Sequence, residues 1–305
     1  MRLQAPKPRY GEKAIQGLLA ACAVLSVLTT TAIVFSLVGP MIGFFEVVPA
    51  KEFFFGIDWT PQFEPPSFGV LAIVAGTLNV TLWAVLFAIP IGLGTAVYLS
   101  EYASPRVRKT VKPVLEVLAG IPTVAIGIFA LTFILPNVIQ PLWPGDFLGG
   151  AEKPFMALAA SLGLGLMVVP IIASISDDAM SAVPRGLHEG AYALGATRAK
   201  VAIRVIFPAA LSGIVASIVL AISRALGETM IVLIAAGSTP NLTFNPVESI
   251  QTMTAYIATT ATGDISTGSL DFKSVFAVAA VLFVLTLAMN AISIRLTRKY
   301  REVYE

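Results

Sequence analysis

The sequence has little charge for its length. Of its 305 residues only 12% are Asp, Glu, Lys or Arg, whereas about 25% is usual in soluble domains. Hydrophobic residues make up 56% of the chain, and the mean hydropathy is +0.84. This composition excludes an ordinary soluble enzyme, a disordered chain, a collagen-like chain and a nucleic-acid-binding protein. The class that remains is a polytopic membrane protein.

Cysteine and histidine are almost absent, and so is any nucleotide-binding loop. Cys22 and His188 are single residues of their kinds, which excludes an intrachain disulfide and a structural zinc site. No stretch fits the Gly-x-x-x-x-Gly-Lys-[Ser/Thr] pattern of a P-loop. We therefore expect a chain that is not an enzyme, with no catalytic residue, metal or cofactor of its own. Any energy that the chain uses must then come from a partner or from a gradient.

Long apolar runs are abundant. A transmembrane helix needs about 20 mostly apolar residues, and six windows qualify: 14–38, 68–98, 113–135, 155–176, 209–235 and 274–294. We predict an all-α fold with six transmembrane helices. The first is too long for the core of a signal peptide and is expected to be retained. Six spans place both termini on the same side of the membrane.

Basic residues predict which side that is. Four Lys or Arg residues precede span 1, four lie between spans 2 and 3, four between spans 4 and 5, and four follow span 6. The opposite connections contain Lys51, Lys153 and Lys273, and Arg224 lies within a span. Because cytoplasmic loops carry the excess of Lys and Arg, we expect a multi-pass protein of the cell inner membrane with both termini in the cytoplasm.

Three regions follow along the chain. Residues 1–67 form an N-terminal cytoplasmic arm, the first helix and an outer loop, residues 68–294 form the membrane core, and residues 295–305 form a cytoplasmic tail. The outer loop is rich in aromatic residues and predicts an interfacial aromatic belt with a short surface helix. In the third outer connection, residues 249–260 predict a short helix that caps a pore or faces an external partner.

The cytoplasmic loop 177–207 predicts two short helices. The first begins at Pro184 and ends at Gly195, and the second covers residues 197–206. Apolar residues recur at helical spacing: Leu187, Ala191 and Leu194 on the first helix, Val201 and Val205 on the second. Such a pair of helices is typical either of a docking surface for a partner or of amphipathic packing alone.

The same loop contains a motif. Its residues are Glu189, Gly190, Ala191, Gly195, Val205, Phe207 and Pro208. This run resembles the EAA loop of ABC importer permeases, which reads Glu-Ala-Ala, three residues, Gly, nine residues and Ile-x-Leu-Pro. Gly190, Val205 and Phe207 depart from it conservatively. The resemblance implies a coupling helix that contacts a separate ATPase, with the contact carried by Glu189, Gly190, Ala191, Gly195 and Pro208.

Charged residues inside an apolar span are a second functional feature. Arg224 and Glu228 lie in span 5, and Glu116 lies near one end of span 3. A charge at the bilayer centre costs roughly 2.5–3.5 kcal/mol on insertion scales, so it normally faces a bundle interior or an aqueous cavity. Arg224 and Glu228 are four residues apart and can pair on one helix face. They predict either an ion pair that only stabilises packing, or an arginine that offers donors to an oxyanion on the translocation path while Glu228 orients it.

Three stretches resemble the phosphate-specific ABC importer permeases of the PstC and PstA types. They are residues 224–230 (RALGETM), 76–103 and 115–127. The methionine of the first stretch, the aromatic outer loop and the long N-terminal arm favour the PstC type. The resemblance covers most of residues 70–260 and implies the type I ABC importer permease fold.

The resemblance also implies a function and a set of partners. The chain would form half of the pathway of an ATP-driven importer for inorganic phosphate. Its partners would be a PstA-like permease subunit, two copies of a cytoplasmic ATPase that bind ATP and Mg, an external phosphate-binding protein and the lipid bilayer, without nucleic acid. Two alternatives stay open. The first is a permease for sulfate or molybdate, because the geometry of an arginine alone does not distinguish one tetrahedral anion from another. The second is a gradient-driven secondary transporter, for which no inverted repeat is visible.

Overall fold

The computed structural model describes residues 10–142, 154–266 and 268–299. The first half contains α1 (Tyr10–Phe45), α2 (Ala50–Phe55), β1 (Trp59–Thr60), β2 (Ser67–Phe68), α3 (Leu71–Val97), α4 (Pro105–Ala119), α5 (Thr123–Phe129) and α6 (Gln140–Leu142). The second contains α7 (Ala157–Ser181), α8 (Arg185–Ala193), α9 (Arg198–Val201), α10 (Phe207–Ala209), α11 (Leu211–Leu226), α12 (Met230–Ala235), α13 (Met253–Thr262) and α14 (Leu270–Lys299). The π-helical stretches Tyr98–Tyr102, Ala130–Ile139 and Ala202–Ile206 continue α3, α5 and α9.

The helices match the predicted membrane class. Among the described residues, five stretches are long and apolar enough to cross a bilayer: Gly11–Phe45, Leu71–Tyr102, Thr123–Leu142, Ala157–Ser181 and Leu270–Thr297. The helix pair Arg198–Ala209 and Leu211–Leu226, bent by 73°, gives a sixth if it is counted as one span. The predicted all-helical membrane fold is therefore confirmed. Three of the basic residues that precede span 1, together with Lys153 and Arg301, lie outside the described residues.

Two of the predicted windows are interrupted. Window 113–135 contains a break at residues 120–122, where α4 ends and α5 begins behind its N-cap Pro122. The residue before a proline disfavours helical dihedrals, so a helix ends there. Helix α4 buries none of its residues, and the third span is Thr123–Leu142 instead. Window 209–235 was predicted as one helix, but residues 227–229 separate α11 from α12.

Helices α3 and α7 form the centre of the bundle and run in the same direction. Gly165 lies against Phe87, and further along both helices Gly92 lies against Ile172. A Cβ atom on Gly92 would be 2.8 Å from the Ile172 Cβ, so only glycine allows this approach. Both helices start at the end of the bundle that carries α2, β1, β2 and α13, called here the hairpin end. They finish at the opposite end, called the α8 end.

Part of the aromatic outer loop forms a small core at the hairpin end, whereas Phe54, Phe55 and Phe63 are exposed, so the interfacial belt stays a prediction. Phe44, Phe53 and Trp59 are almost fully buried, and their rings meet edge to face. Trp59 also contacts Tyr256 of α13 at a centroid distance of 4.8 Å. Burial raises the pKa of the Tyr256 phenol, whose hydroxyl lies 2.6 Å from that of Ser274. The predicted short helices are confirmed as α2 and α13, the latter capped by Thr252.

Candidate functional site

The fifth span is broken at the point where its two charged residues lie. Helix α11 ends at Leu226, Gly227 is its C-cap, and α12 restarts at Met230. The Glu228 Oε1 accepts hydrogen bonds from the backbone N–H groups of Met230 at 3.0 Å and Ile231 at 3.3 Å. A carboxylate at this position satisfies donors that a helix start leaves free. The Glu228 side chain therefore caps the first turn of α12 from the residue before its N-cap, Thr229.

The predicted ion pair between Arg224 and Glu228 is wrong. The two residues do not share a helix face, because the helix ends between them. Within the described residues no carboxylate lies within ion-pair distance of Arg224, and its Nη2 instead lies 3.8 Å from the Met167 sulfur. Met167 is close to the middle of α7, so the guanidinium lies near mid-span. Its side chain is exposed on the surface of the chain.

This arrangement leaves Arg224 without a counter-charge among the described residues at membrane depth. Such a charge is stable only beside water, a partner subunit or a bound anion. The guanidinium offers planar donors that match the oxygens of a tetrahedral oxyanion. Thr254 fastens the break by donating a hydrogen bond to the Glu228 carbonyl at 2.6 Å. The site can therefore bind an anion on a fixed helix end. Glu116, the other acid predicted within a span, lies in α4 and is exposed.

The predicted docking loop is present at the α8 end. Helix α8 follows its N-cap Pro184, and Gly195 ends the turn with φ +77°, a conformation that favours glycine. The exposed residues of the motif are Glu189, Gly190, Gly195 and Pro208, whereas Ala191 is half-buried. The first two residues and Ala191 lie on α8, while Pro208 lies on α10. The loop begins after Ser181 rather than at residue 177, because α7 extends to that residue.

The apolar face of α8 differs from the prediction at one position. Leu187 and Ala191 pack against a buried cluster that includes Val201 and Ile206, as expected, and Val205 joins them. Leu194 is 90% exposed instead. It is the C-cap residue of α8, where the helical periodicity that placed it on the buried face no longer applies. A large exposed apolar residue beside the motif suits contact with another chain.

Ion pairs stabilise the α8 end, and they were not predicted from the sequence. Asp177 on α7 is fully buried, and its Oδ2 lies 2.9 Å from Arg108 Nη2 and 3.7 Å from Lys112 Nζ of α4. His188 of α8 lies 3.3 Å from the Glu101 carboxylate at the end of α3. The available signal was the four-residue spacing of Arg108 and Lys112, which places both cations on one helix face. The first two contacts join α4 to α7, and the third joins α8 of the docking loop to the end of α3.

Comparison with known proteins assigns the chain to a family. Residues 88–302 match the model described as binding-protein-dependent transport system inner membrane component. The chain belongs to this family of ABC transport permeases. It is similar to the phosphate transport system permease protein PstC of Haemophilus influenzae, with 34% identity over 284 residues that cover 88% of this chain and 87% of the relative. It is also similar to PstC of Mesorhizobium japonicum, with 34% identity over 251 residues that cover 77% of this chain and 75% of the relative.

Solved structures of ABC importers share the fold of this permease chain. A bacterial alginate ABC transporter has a chain that aligns with a TM-score of 0.66 at 16% identity, covering 96% of this chain and 98% of that chain. The MetNI methionine ABC transporter in an inward-facing conformation aligns with a TM-score of 0.58 at 18% identity, covering 74% of this chain and 94% of that chain. The expected type I ABC importer permease fold is confirmed.

Proposed function

We propose that this permease is a subunit of an ATP-driven importer for inorganic phosphate. The observation that carries the proposal is Arg224, a guanidinium at mid-span that no described carboxylate neutralises. An arginine with free donors binds an oxyanion more strongly than one already paired. The similarity to PstC proteins names phosphate as the most direct candidate among oxyanions. The chain itself performs no covalent chemistry.

The proposed partners follow from the two ends of the molecule. A second permease subunit, similar to PstA, would cover the exposed face of Arg224 and complete the pathway. Two copies of a cytoplasmic ATPase, which bind ATP and Mg, would dock on α8 through Glu189, Gly190, Ala191 and Gly195, with Pro208 close to that contact. An external phosphate-binding protein would dock at the hairpin end. The α8 end and both termini then lie on the cytoplasmic side of the inner membrane.

The test is uptake of labelled phosphate by the reconstituted complex, with sulfate and molybdate in parallel. We expect Arg224→Gln to lower ATP-dependent phosphate uptake by about tenfold or more, since a hydrogen bond to a charged group contributes about 1.5–3 kcal/mol. Arg295→Gln removes the same charge from an exposed position on α14 and should leave uptake unchanged. Co-purification of the other subunits verifies that both variants assemble.

Each other result selects a different function. Undiminished phosphate uptake by the Arg224→Gln complex would reduce this arginine to a packing role. Uptake of sulfate or molybdate in preference to phosphate would make the chain a permease for that oxyanion. Uptake that persists without ATP and follows an ion gradient would indicate a secondary transporter.

A further inference from the structure

An apolar groove lies between the end of α1, helix α2 and α14. Its volume is about 260 Å³, and its walls include Phe45 and Phe54 on one side with Ala277, Ala280 and Val284 on the other. The two alanines leave a narrow channel on the α14 surface. Helices α1 and α14 are both candidate membrane spans, so the groove opens towards the acyl chains of a bilayer.

A lysine lies next to this groove on α14. Lys273 precedes Ala277, which lines the groove, by one helical turn, about 6 Å along the axis of α14, and shares its face with Ala277, Ala280 and Val284. Its side chain lies across Gly43 of α1, where a Cβ atom would be 3.3 Å from the Lys273 Nζ.

The ammonium of Lys273 has no protein counter-charge in the part of the chain that the structure describes. Glu46, directly after α1, and Asp271 on α14 are the acids nearest to it in sequence on these two elements, and neither forms an ion pair with it. The Lys273 side chain is half-buried, as is typical of a lysine whose stem covers apolar surface. A cation in that position attracts a phosphate group.

We propose that this groove and Lys273 form a binding site for one anionic phospholipid. The acyl chain fills the groove along Ala277 and Ala280, and the headgroup phosphate accepts hydrogen bonds from the Lys273 ammonium. The lining of the groove is entirely apolar, as an acyl chain requires, and the adjacent Lys273 ammonium, which has no described counter-charge, is complementary to a headgroup phosphate. This inference goes beyond the proposed function, and its test does not depend on phosphate uptake.

The test is native mass spectrometry of the purified full-length chain with its co-purifying subunits, after delipidation. Three probes are added separately: phosphatidylglycerol, diacylglycerol with the same acyl chains, and glycerol 3-phosphate. We expect one phosphatidylglycerol to bind the wild type with higher affinity than the other two probes. Lys273→Gln should weaken it about tenfold, because one charge-assisted contact is lost, and Lys273→Arg should retain it. Ala280→Phe, which fills the groove, should weaken phosphatidylglycerol and diacylglycerol alike.

Lys51→Gln is the matched control, because Lys51 is an exposed lysine at the same end of the molecule. It should bind phosphatidylglycerol as the wild type does. Equal binding by the wild type and Lys273→Gln would overturn the site, and so would equal binding of phosphatidylglycerol and diacylglycerol. Displacement of the lipid by glycerol 3-phosphate would show a simple anion site and would overturn the role of the groove.

Discussion

Asp177 carries its charge in a fully buried position at the α8 end. Its carboxylate forms ion pairs with Arg108 and Lys112 of α4 and accepts a hydrogen bond from the Ser181 hydroxyl at 3.4 Å. The neighbouring Asp178 also pairs with Lys112, but its side chain is 61% exposed. A buried charge costs free energy unless cations and donors surround it. Asp177 therefore stabilises the contact between α4 and α7, while Asp178 contributes little.

We predict that Asp177→Asn lowers the stability of the purified chain by about 2 kcal/mol. Removal of one partner from a buried pair costs about 3–5 kcal/mol, and the partial exposure of Arg108 and Lys112 reduces that value. Asp178→Asn is the control and should be close to neutral. Thermal unfolding in detergent measures both variants. Equal unfolding midpoints would show that Asp177 does not fasten α4.

Arg224 and Glu228 show what could be predicted at the level of single residues. Their presence in an apolar span marked both as unusual, and the sequence alone was sufficient for that. Their relation was predicted wrongly because it depends on where α11 ends. Gly227 ends the helix and releases Glu228 to cap α12, so the pairing spacing of a continuous helix does not apply.

At the level of elements, small residues determine how closely α3 and α7 approach. Gly92 is buried against Ile172, whereas Gly94, two residues later, has open space where a Cβ atom would be. Small residues in a transmembrane helix are typical of packed faces, but the sequence alone does not separate Gly92 from Gly94. Rotation of α3 about its axis, which is set by its neighbours, decides which glycine is needed.

Gly92→Ala and Gly94→Ala are therefore expected to have opposite effects. The added methyl at residue 92 would lie 2.8 Å from two atoms of Ile172, and overpacking of this kind costs about 1–3 kcal/mol. At residue 94 the methyl meets no described atom within 4 Å, and alanine has the higher helix propensity. Unfolding midpoints of the purified variants test the pair. Similar destabilisation by both would contradict the packing of Gly92 in particular.

The elements around the docking loop were predicted well because their signals are local. Pro184 precedes α8 and Gly195 ends its turn with a positive φ. Both residues act through their own backbone dihedrals. The break at residues 227–229 has a glycine but no proline, and the hydropathy of the window continues across it. The apolar window 209–235 therefore predicted helix in the right part of the chain, but it did not reveal that the helix is interrupted between α11 and α12.

At the scale of the whole molecule, charge is distributed unequally between the two ends. The described basic residues of α4, α8 and α9 lie at the α8 end, and Lys51 and Lys273 lie at the hairpin end. The excess of Lys and Arg at one end favours a cytoplasmic α8 end. The aromatic core, by contrast, belongs to the hairpin end.

Cysteine labelling in intact cells tests this orientation. Cys22 is the single cysteine of the chain, so the Cys22→Ser variant has no thiol of its own. In that background we expect a membrane-impermeant maleimide to label Lys51→Cys on α2 in intact cells. Arg106→Cys, an exposed position on α4, should be labelled only after permeabilisation. Labelling of Arg106→Cys before permeabilisation would reverse the orientation.

The sequence by itself determined the membrane class and the two short helices of the docking loop, because hydropathy, proline and glycine act over one helix or one turn. Only the tertiary structure decided which charges are paired. Asp177 meets Arg108 across sixty-nine residues of chain, and Arg224 is left without a described carboxylate because a helix ends two residues after it. Pairing depends on distance in space and on where helices end, and hydropathy along the chain reports neither.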